Sequence, residues 1–340
     1  MNKSSLLTKI KTDLFGAGII ILFVFVIANS SLCTKAVLHG LSLSAGFLVP
    51  SLFFSMVLCG IIRELGILRQ IPFINSRREV IILGLLGGYP VLSHLSEKSL
   101  KENKITKKEA ELINNCFLSG GPAFVIGGIG AKLLGSPFLG VLIYISSIIS
   151  SFILYLVLKK HKVSENKNEM GASDFCTALI SSVESTAKSV INLSAFVTLF
   201  SAVAYILSNL SVSLKHISYF IEVTSAVSDI AFQKTSLLSL SLITFFQAFG
   251  CFSVQIQVLS NLKSIRLSKV RYLLYRLISS VISVVIMNIF FKLFPVSLSV
   301  SISFNKIPSF SSNLPASLFL ILFAFFFIWY FERSKTKNYH

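Results

Sequence analysis

Long apolar runs recur along this 340-residue chain, and they leave it few folds to choose from. A run of about 18 or more apolar residues crosses the roughly 30 Å hydrocarbon core of a bilayer as a helix, and a soluble domain cannot bury many of them. Clear runs fall at 14–31, 44–62, 137–158, 190–210, 235–259, 270–291 and 315–332. Composition agrees, with 54% hydrophobic and only 13% charged residues and a mean hydropathy of +0.79. Soluble domains carry about 25% charged residues. The expected fold is therefore all-α and polytopic, with about eight transmembrane helices plus two re-entrant or broken hairpins. The start, MNKSSLLTKIKTDLFGAGIIILFVFVIANSSLC, has the basic-then-apolar form of a signal peptide. No A-x-A site closes that run and further spans follow, so an uncleaved first helix is expected.

The net charge of +17 does not point to nucleic acid, because the basic residues sit in short loops between apolar runs instead of on one helical face. Lys and Arg collect on the cytoplasmic side of membrane proteins. With both termini inside, 25 of the 31 fall there, and Lys35, Lys132, Lys215, Lys234, Lys292 and Lys306 do not. That count closes only if 79–96 enters from the cytoplasm and returns to it, 112–133 crosses, and 212–234 dips in from the opposite side. The chain then divides into an N-terminal helix (1–36), a first unit (37–160), a cytoplasmic amphipathic linker (161–189), a second unit (190–292), and a C-terminal helix with a basic tail (293–340). The units repeat the order span, re-entrant segment, broken span, span, in opposite orientations. Many secondary transporters are built from such inverted repeats. Glu184 and Lys188, spaced i, i+4, are expected to pair on the linker helix. The five cysteines form no CxxC and no Cys/His cluster, so neither a structural metal nor a disulfide framework is expected.

Glycine and proline interrupt the ambiguous segments. Lipid offers backbone groups no partner, so unwound chain at membrane depth must be buried in protein or line a polar cavity. A break also leaves a helix N-terminus with free N–H groups, suited to an anionic or acceptor group. In GGYPVLSHL, Gly87 and Gly88 allow a turn before Pro90, and Tyr89, Ser93, His94 and Glu97 follow. This reads as a re-entrant tip facing a cavity, or as a proline kink with His94 and Glu97 snorkelling to the interface. In NNCFLSGGPAFVIGGIG, Asn114, Asn115 and Ser119 precede the Gly120-Gly121-Pro122 break, with Gly127 and Gly128 after it; close helix packing is the alternative. In SYFIEVTSAVSDIAFQKT, Glu222, Ser225, Asp229 and Gln233 share a stripe, and Thr224 lies beside it. An acid at a membrane helix centre costs about 2.5–3.5 kcal/mol and marks a candidate functional site. The alternative puts Glu222 and Asp229 near the surface beside Lys234. Gln247, Cys251 and Gln255 recur every fourth residue around Gly250 and Ser253, either to bond a solute or to line a packed interface.

No HExxH, GxSxG, DDxxD or Walker-type loop is present, and no enzyme activity is expected. His94 with Glu97 is the only interfacial polar cluster an enzyme could use. Across residues 40–290 the chain resembles sporulation integral membrane proteins of the YlbJ type. These carry the nucleoside-recognition gate domain and are distantly similar to concentrative nucleoside transporters. The resemblance rests on Gly88-Tyr89-Pro90, the run KENKITKKEAELINNC, Ser119 to Pro137, Glu222-Val223-Thr224, and Phe249 to Ser260. The chain departs from that family's pattern at Val91–His94 and at Ser225-Ala226. The resemblance implies a transporter in the outer forespore membrane with dipicolinate as cargo and a nucleoside-like solute as second choice. A membrane scaffold retaining the gate fold is the competing reading. Expected partners are a small-molecule solute and the bilayer, with no nucleic acid and no cofactor. Coupling to Na+ or H+ and assembly as a homo-oligomer stay open.

Overall fold

The computed structural model describes residues 3–159, 174–232, 236–265 and 267–294. Among these the chain is helical throughout, with no strand. The expected span at 315–332, the basic tail, Gln233 and Lys234 lie outside the described residues.

Helix α1 (Lys3–Ala28) is followed by α2 (Ser30–Leu43), a π turn at Ser44–Leu48 and α3 (Val49–Glu64). From Ser30 to Glu64 the chain forms one apolar rod of 35 residues. At 1.5 Å per residue that is about 52 Å, longer than a bilayer core is thick. The run expected at 44–62 is the second half of this rod, and the boundary placed at residue 36 falls inside α2. The π turn carries the helix across Gly46, so hydropathy dips there without a break in the backbone.

Helices α4 (Ser76–Gly87) and α5 (Tyr89–Lys101) flank Gly88. The Asn75 side chain caps α4 by accepting the Arg78 N–H at 3.0 Å. Helix α6 (Lys107–Cys116) opens on a capping box, in which Thr106 Oγ1 accepts the Glu109 N–H and Glu109 Oε2 accepts the Thr106 N–H at 2.7 Å. After an irregular stretch comes a π-helical segment, Ala123–Leu133, and then α7 (Pro137–Leu158). Gly130 and Gly140 bring the last two together, since a Cβ on Gly130 would lie 2.6 Å from Gly140 Cα.

The second half begins with α8 (Phe175–Leu210), a single helix of 36 residues. The boundary expected between 189 and 190 lies inside it, because nothing in VESTAKSVINLS breaks a helix. Glu184 and Lys188 are both exposed on α8, and no ion pair joins them. Then follow α9 (Val212–Ser218), α10 (Val223–Phe232), α11 (Leu237–Phe249), α12 (Cys251–Asn261) and α13 (Lys269–Leu293).

Five stretches among the described residues are long and apolar enough to cross a membrane: Ser30–Glu64, Pro137–Leu158, Phe175–Leu210, Leu237–Asn261 and Lys269–Leu293. Their outer faces keep large apolar side chains exposed, including Phe54, Leu156, Ile191 and Val281. In water such faces would drive aggregation, whereas in lipid they need no partner. The interior is held by small polar contacts in place of hydrophobic contrast. Ser147 and Ser150 of α7 meet Ser283 and Ser279 of α13 at 3.2 and 3.1 Å.

Candidate functional site

The interruptions that the sequence scatters over more than 160 residues meet in space. Gly88 adopts φ 80°, ψ −166°, a conformation essentially confined to glycine. A Cβ there would lie 2.6 Å from the Gly121 nitrogen, and a Cβ on Gly121 would lie 2.8 Å from the Leu86 carbonyl. Backbone thus touches backbone where the two breaks of the first unit cross. The Tyr89 hydroxyl donates to the carbonyl of Gln247, tying this crossing to the end of α11.

The breaks of the second unit are tied together in a similar way. Gly250 ends α11 in the left-handed region at φ 82°. The first N–H groups of α12, on Phe252 and Ser253, donate to the carbonyls of Phe220 and Ile221 at 2.8 and 2.9 Å. Cys251 at φ 49° is one of three non-glycine residues with positive φ among the described residues, and its thiol donates to the Tyr219 carbonyl at 3.2 Å. Glu222 is fully buried at the N-terminus of α10. Its Oε1 accepts the Thr224 N–H at 2.9 Å, and its Oε2 accepts the Ser225 N–H at 2.6 Å and the Ser201 hydroxyl at 3.2 Å. The acid therefore satisfies the free donors of its own helix.

Between these breaks lies a cavity of about 30 Å3, room for a water or two. Gly88, Tyr89, Pro90, Gly120 and Gly121 line it from the first unit. Glu222, Thr224 and Ser253 face them from the second, and the Ser253 hydroxyl has no partner. Leu48, Leu52, Phe196 and Val197 complete the apolar wall.

Other expected site residues go elsewhere. Ser93 and Glu97, one turn apart on α5, face the end of α12. Ser93 Oγ accepts Asn261 Nδ2 at 3.0 Å, and Glu97 accepts the Ser264 N–H and hydroxyl at 3.0 and 2.6 Å. They clamp two helices and do not line the cavity. His94 is exposed, since a rotation of about 100° per residue carries it off the face that Ser93 holds. Asn114 donates to the Ala110 carbonyl within its own helix, at 2.8 Å. Asn114 and Asn115 both keep an unpartnered Oδ1 outside the cavity lining. Ser119 accepts Gln247 Nε2 at 3.4 Å, and Gln247 Oε1 accepts the Ser147 hydroxyl at 2.9 Å, so Gln247 links three elements as a packed amide. Gln255 bonds back to the Phe249 carbonyl across the break.

The stripe from Glu222 to Asp229 divides. Ser225 and Asp229 line a second, larger cavity of about 300 Å3 with His39, Tyr205 and Lys215. There Asp229 Oδ2 accepts the Tyr219 hydroxyl at 2.9 Å and pairs with Lys215 at 3.0 Å. The two cavities are joined by hydrogen bonds: Ser225 Oγ donates to Ser201 Oγ at 2.9 Å, and Ser201 Oγ donates to Glu222. Sequence reasoning missed Gln257, which lines the small cavity, and Arg276, which is only 1% exposed. An arginine inside an apolar run was a signal for the latter.

Part of the chain is similar to the sporulation integral membrane protein YlbJ of Bacillus subtilis (strain 168), at 25% identity over 175 residues. The match takes in 48% of this chain and 43% of that protein, so the chain spans less than half the length of this curated relative. No family model matches the chain, and no solved structure matches it. The relative's name and the apolar helices agree on an integral membrane protein.

Proposed function

We propose that the chain is a secondary-transporter-like protein, not an enzyme, that moves a small polar or anionic solute across a membrane during sporulation. Dipicolinate is the first candidate, by the resemblance, and a nucleoside-like solute the second. The outer forespore membrane is the expected location, with both termini cytoplasmic and about eight spans. The observation that carries this reading is the convergence of the breaks on one buried space with Glu222 at its edge.

Packing supports an inverted repeat. The entry spans of the two units, α3 and α8, lie against each other, as do the closing spans α7 and α13. Helix α5, the second arm of one re-entrant segment, packs on α12, the second arm of the other unit's broken span. Reciprocally, α10 packs on the π-helical segment Ala123–Leu133. A two-fold relation in the membrane plane generates this exchange of partners. With about 30 Å3 between the breaks, the described state is closed, and a solute enters only when the units part.

One observation favours the scaffold reading: the Glu222 carboxylate is already engaged by the backbone of α10. Uptake of labelled dipicolinate and of nucleosides into proteoliposomes containing the purified chain decides between them, with Glu222→Gln as control. Uptake of one solute that the variant loses supports transport. A folded protein that takes up neither leaves the scaffold.

A further inference from the structure

Arg276 sits on α13, seven residues beyond its first residue, Lys269, and about 10 Å along the helix axis. Its guanidinium has five N–H donors. Nη2 donates to the Ala248 carbonyl, one residue before the end of α11, while Nε and Nη1 have no partner. One turn earlier on the same face, the buried Tyr272 hydroxyl is also without a partner. Among the described residues no ion pair joins Arg276 to a carboxylate. A cation taken out of water without a counter-ion is among the costliest things a protein interior can hold. Here it is held beside the breaks at Gly88 and Gly250, because Tyr89 and Arg276 donate to the adjacent carbonyls of Gln247 and Ala248. What the cluster lacks is an acceptor, and an acceptor with negative charge above all. Burial at 1% exposure excludes a lipid headgroup as its source in this state.

We propose that Arg276, with Tyr272 beside it, is the anion receptor of the site, and that its ligand is the carboxylate of a small solute. This rests on the transport reading for the solute's route but not for its binding. Arg276 does not itself line the small cavity, but Tyr89 does and donates to the carbonyl next to the one that holds Arg276, so the route from the cavity to the guanidinium runs past Tyr89. Either edge of the guanidinium takes a carboxylate in two parallel hydrogen bonds, one from Nε or Nη1 and one from the second N–H of Nη2, a geometry that lysine cannot reproduce. The site then discriminates by charge: anionic solutes gain a partner that neutral ones do not.

The test is binding to the purified full chain in detergent, read by calorimetry and by thermal unfolding. The probes are pyridine-2,6-dicarboxylate and its uncharged analogue pyridine-2,6-dimethanol. The wild type binds the dicarboxylate and raises its melting temperature with it, and the diol does neither. Arg276→Met weakens dicarboxylate binding about thirtyfold or more, while the ligand-free variant melts no lower than wild type because an uncompensated charge is gone. Tyr272→Phe weakens binding less and leaves the free protein's melting unchanged. A wild type that ignores the dicarboxylate, binds the diol as tightly, or keeps its affinity in Arg276→Met overturns the proposal. Water then fills the cluster. Should Arg276→Met not fold, Arg276→Lys and Tyr272→Phe decide, and unchanged affinity in either of them sinks it. Binding that depends on Arg276 in a protein with no proteoliposome uptake leaves the anion site standing and removes the transporter.

Discussion

Replacing Glu222 by asparagine separates the two things this residue could be. As found, Glu222 stands at the N-cap of α10 and takes the N–H groups of Thr224 and Ser225 at 2.9 and 2.6 Å. Glu222→Ala strips both donors of their partner inside a fully buried site. Loss of a cap costs about 0.5–2 kcal/mol, and a buried donor left without a partner about 1–3 kcal/mol, so a total of about 2–4 kcal/mol is expected. Asparagine is itself a preferred N-cap, and its one carbonyl oxygen recovers one of the two bonds. Glu222→Asn is therefore expected to cost about 1–2 kcal/mol. Thermal unfolding in detergent should rank wild type above Glu222→Asn above Glu222→Ala. Uptake in proteoliposomes should be lost in both variants, because asparagine restores the cap but not the charge. If Glu222→Ala melts with wild type, the capping argument is wrong. If Glu222→Asn transports normally, the carboxylate is a structural cap and its place in the solute site is refuted.

Gly88→Ala should abolish a folded, monodisperse product, since both its dihedrals and the 2.6 Å approach to Gly121 exclude a side chain. Gly127→Ala, with nothing within 4 Å of the new methyl, should purify and melt like wild type. On the expected cytoplasmic side, burial raises the Glu102 carboxyl, but Lys104 and Arg63 outweigh it and hold it below its ordinary 4.5. A carboxylate depressed in the folded state adds stability above its unfolded value and loses it as pH falls through the folded one. Melting temperature should therefore drop with acidification below about 4.5, and Glu102→Gln should flatten that part of the profile. Glu97→Gln should loosen the junction between α5 and the loop after α12, because one of the contacts to Ser264 must go. Faster amide exchange at residues 262–265 would report it, and unchanged exchange would count against the clamp.

The positions of the breaks were legible in the sequence because they depend on local backbone chemistry. Gly88 and Gly250 occupy conformations that other residues avoid, and Pro90 and Pro122 start the helices that follow. The cap at α10 was not read from the sequence, where Glu222 drew attention as an acid and not as a cap. The face of each helix was less so. For Ser93 and Glu97 the sequence left a cavity lining and a kink with Glu97 at the interface both open, and the structure has them clamp the end of α12, since helical periodicity tells which residues lie together and not which neighbour covers them. Arg276 was counted only as a topological charge. Nothing local shows that the face bearing it packs beneath Ala248.

What the sequence determined by itself is the solvent, the helical class and the places where the backbone must unwind, all of which follow from short-range rules about apolar length and about glycine and proline. The tertiary structure alone decided that residues as distant as Gly88 and Ser253 share one cavity, that Glu222 meets its own helix, and that two nitrogens of the buried Arg276 have no partner among the described residues. Those outcomes depend on which helix faces touch across the bundle, and lipid-facing and protein-facing apolar surfaces are written in the same residues.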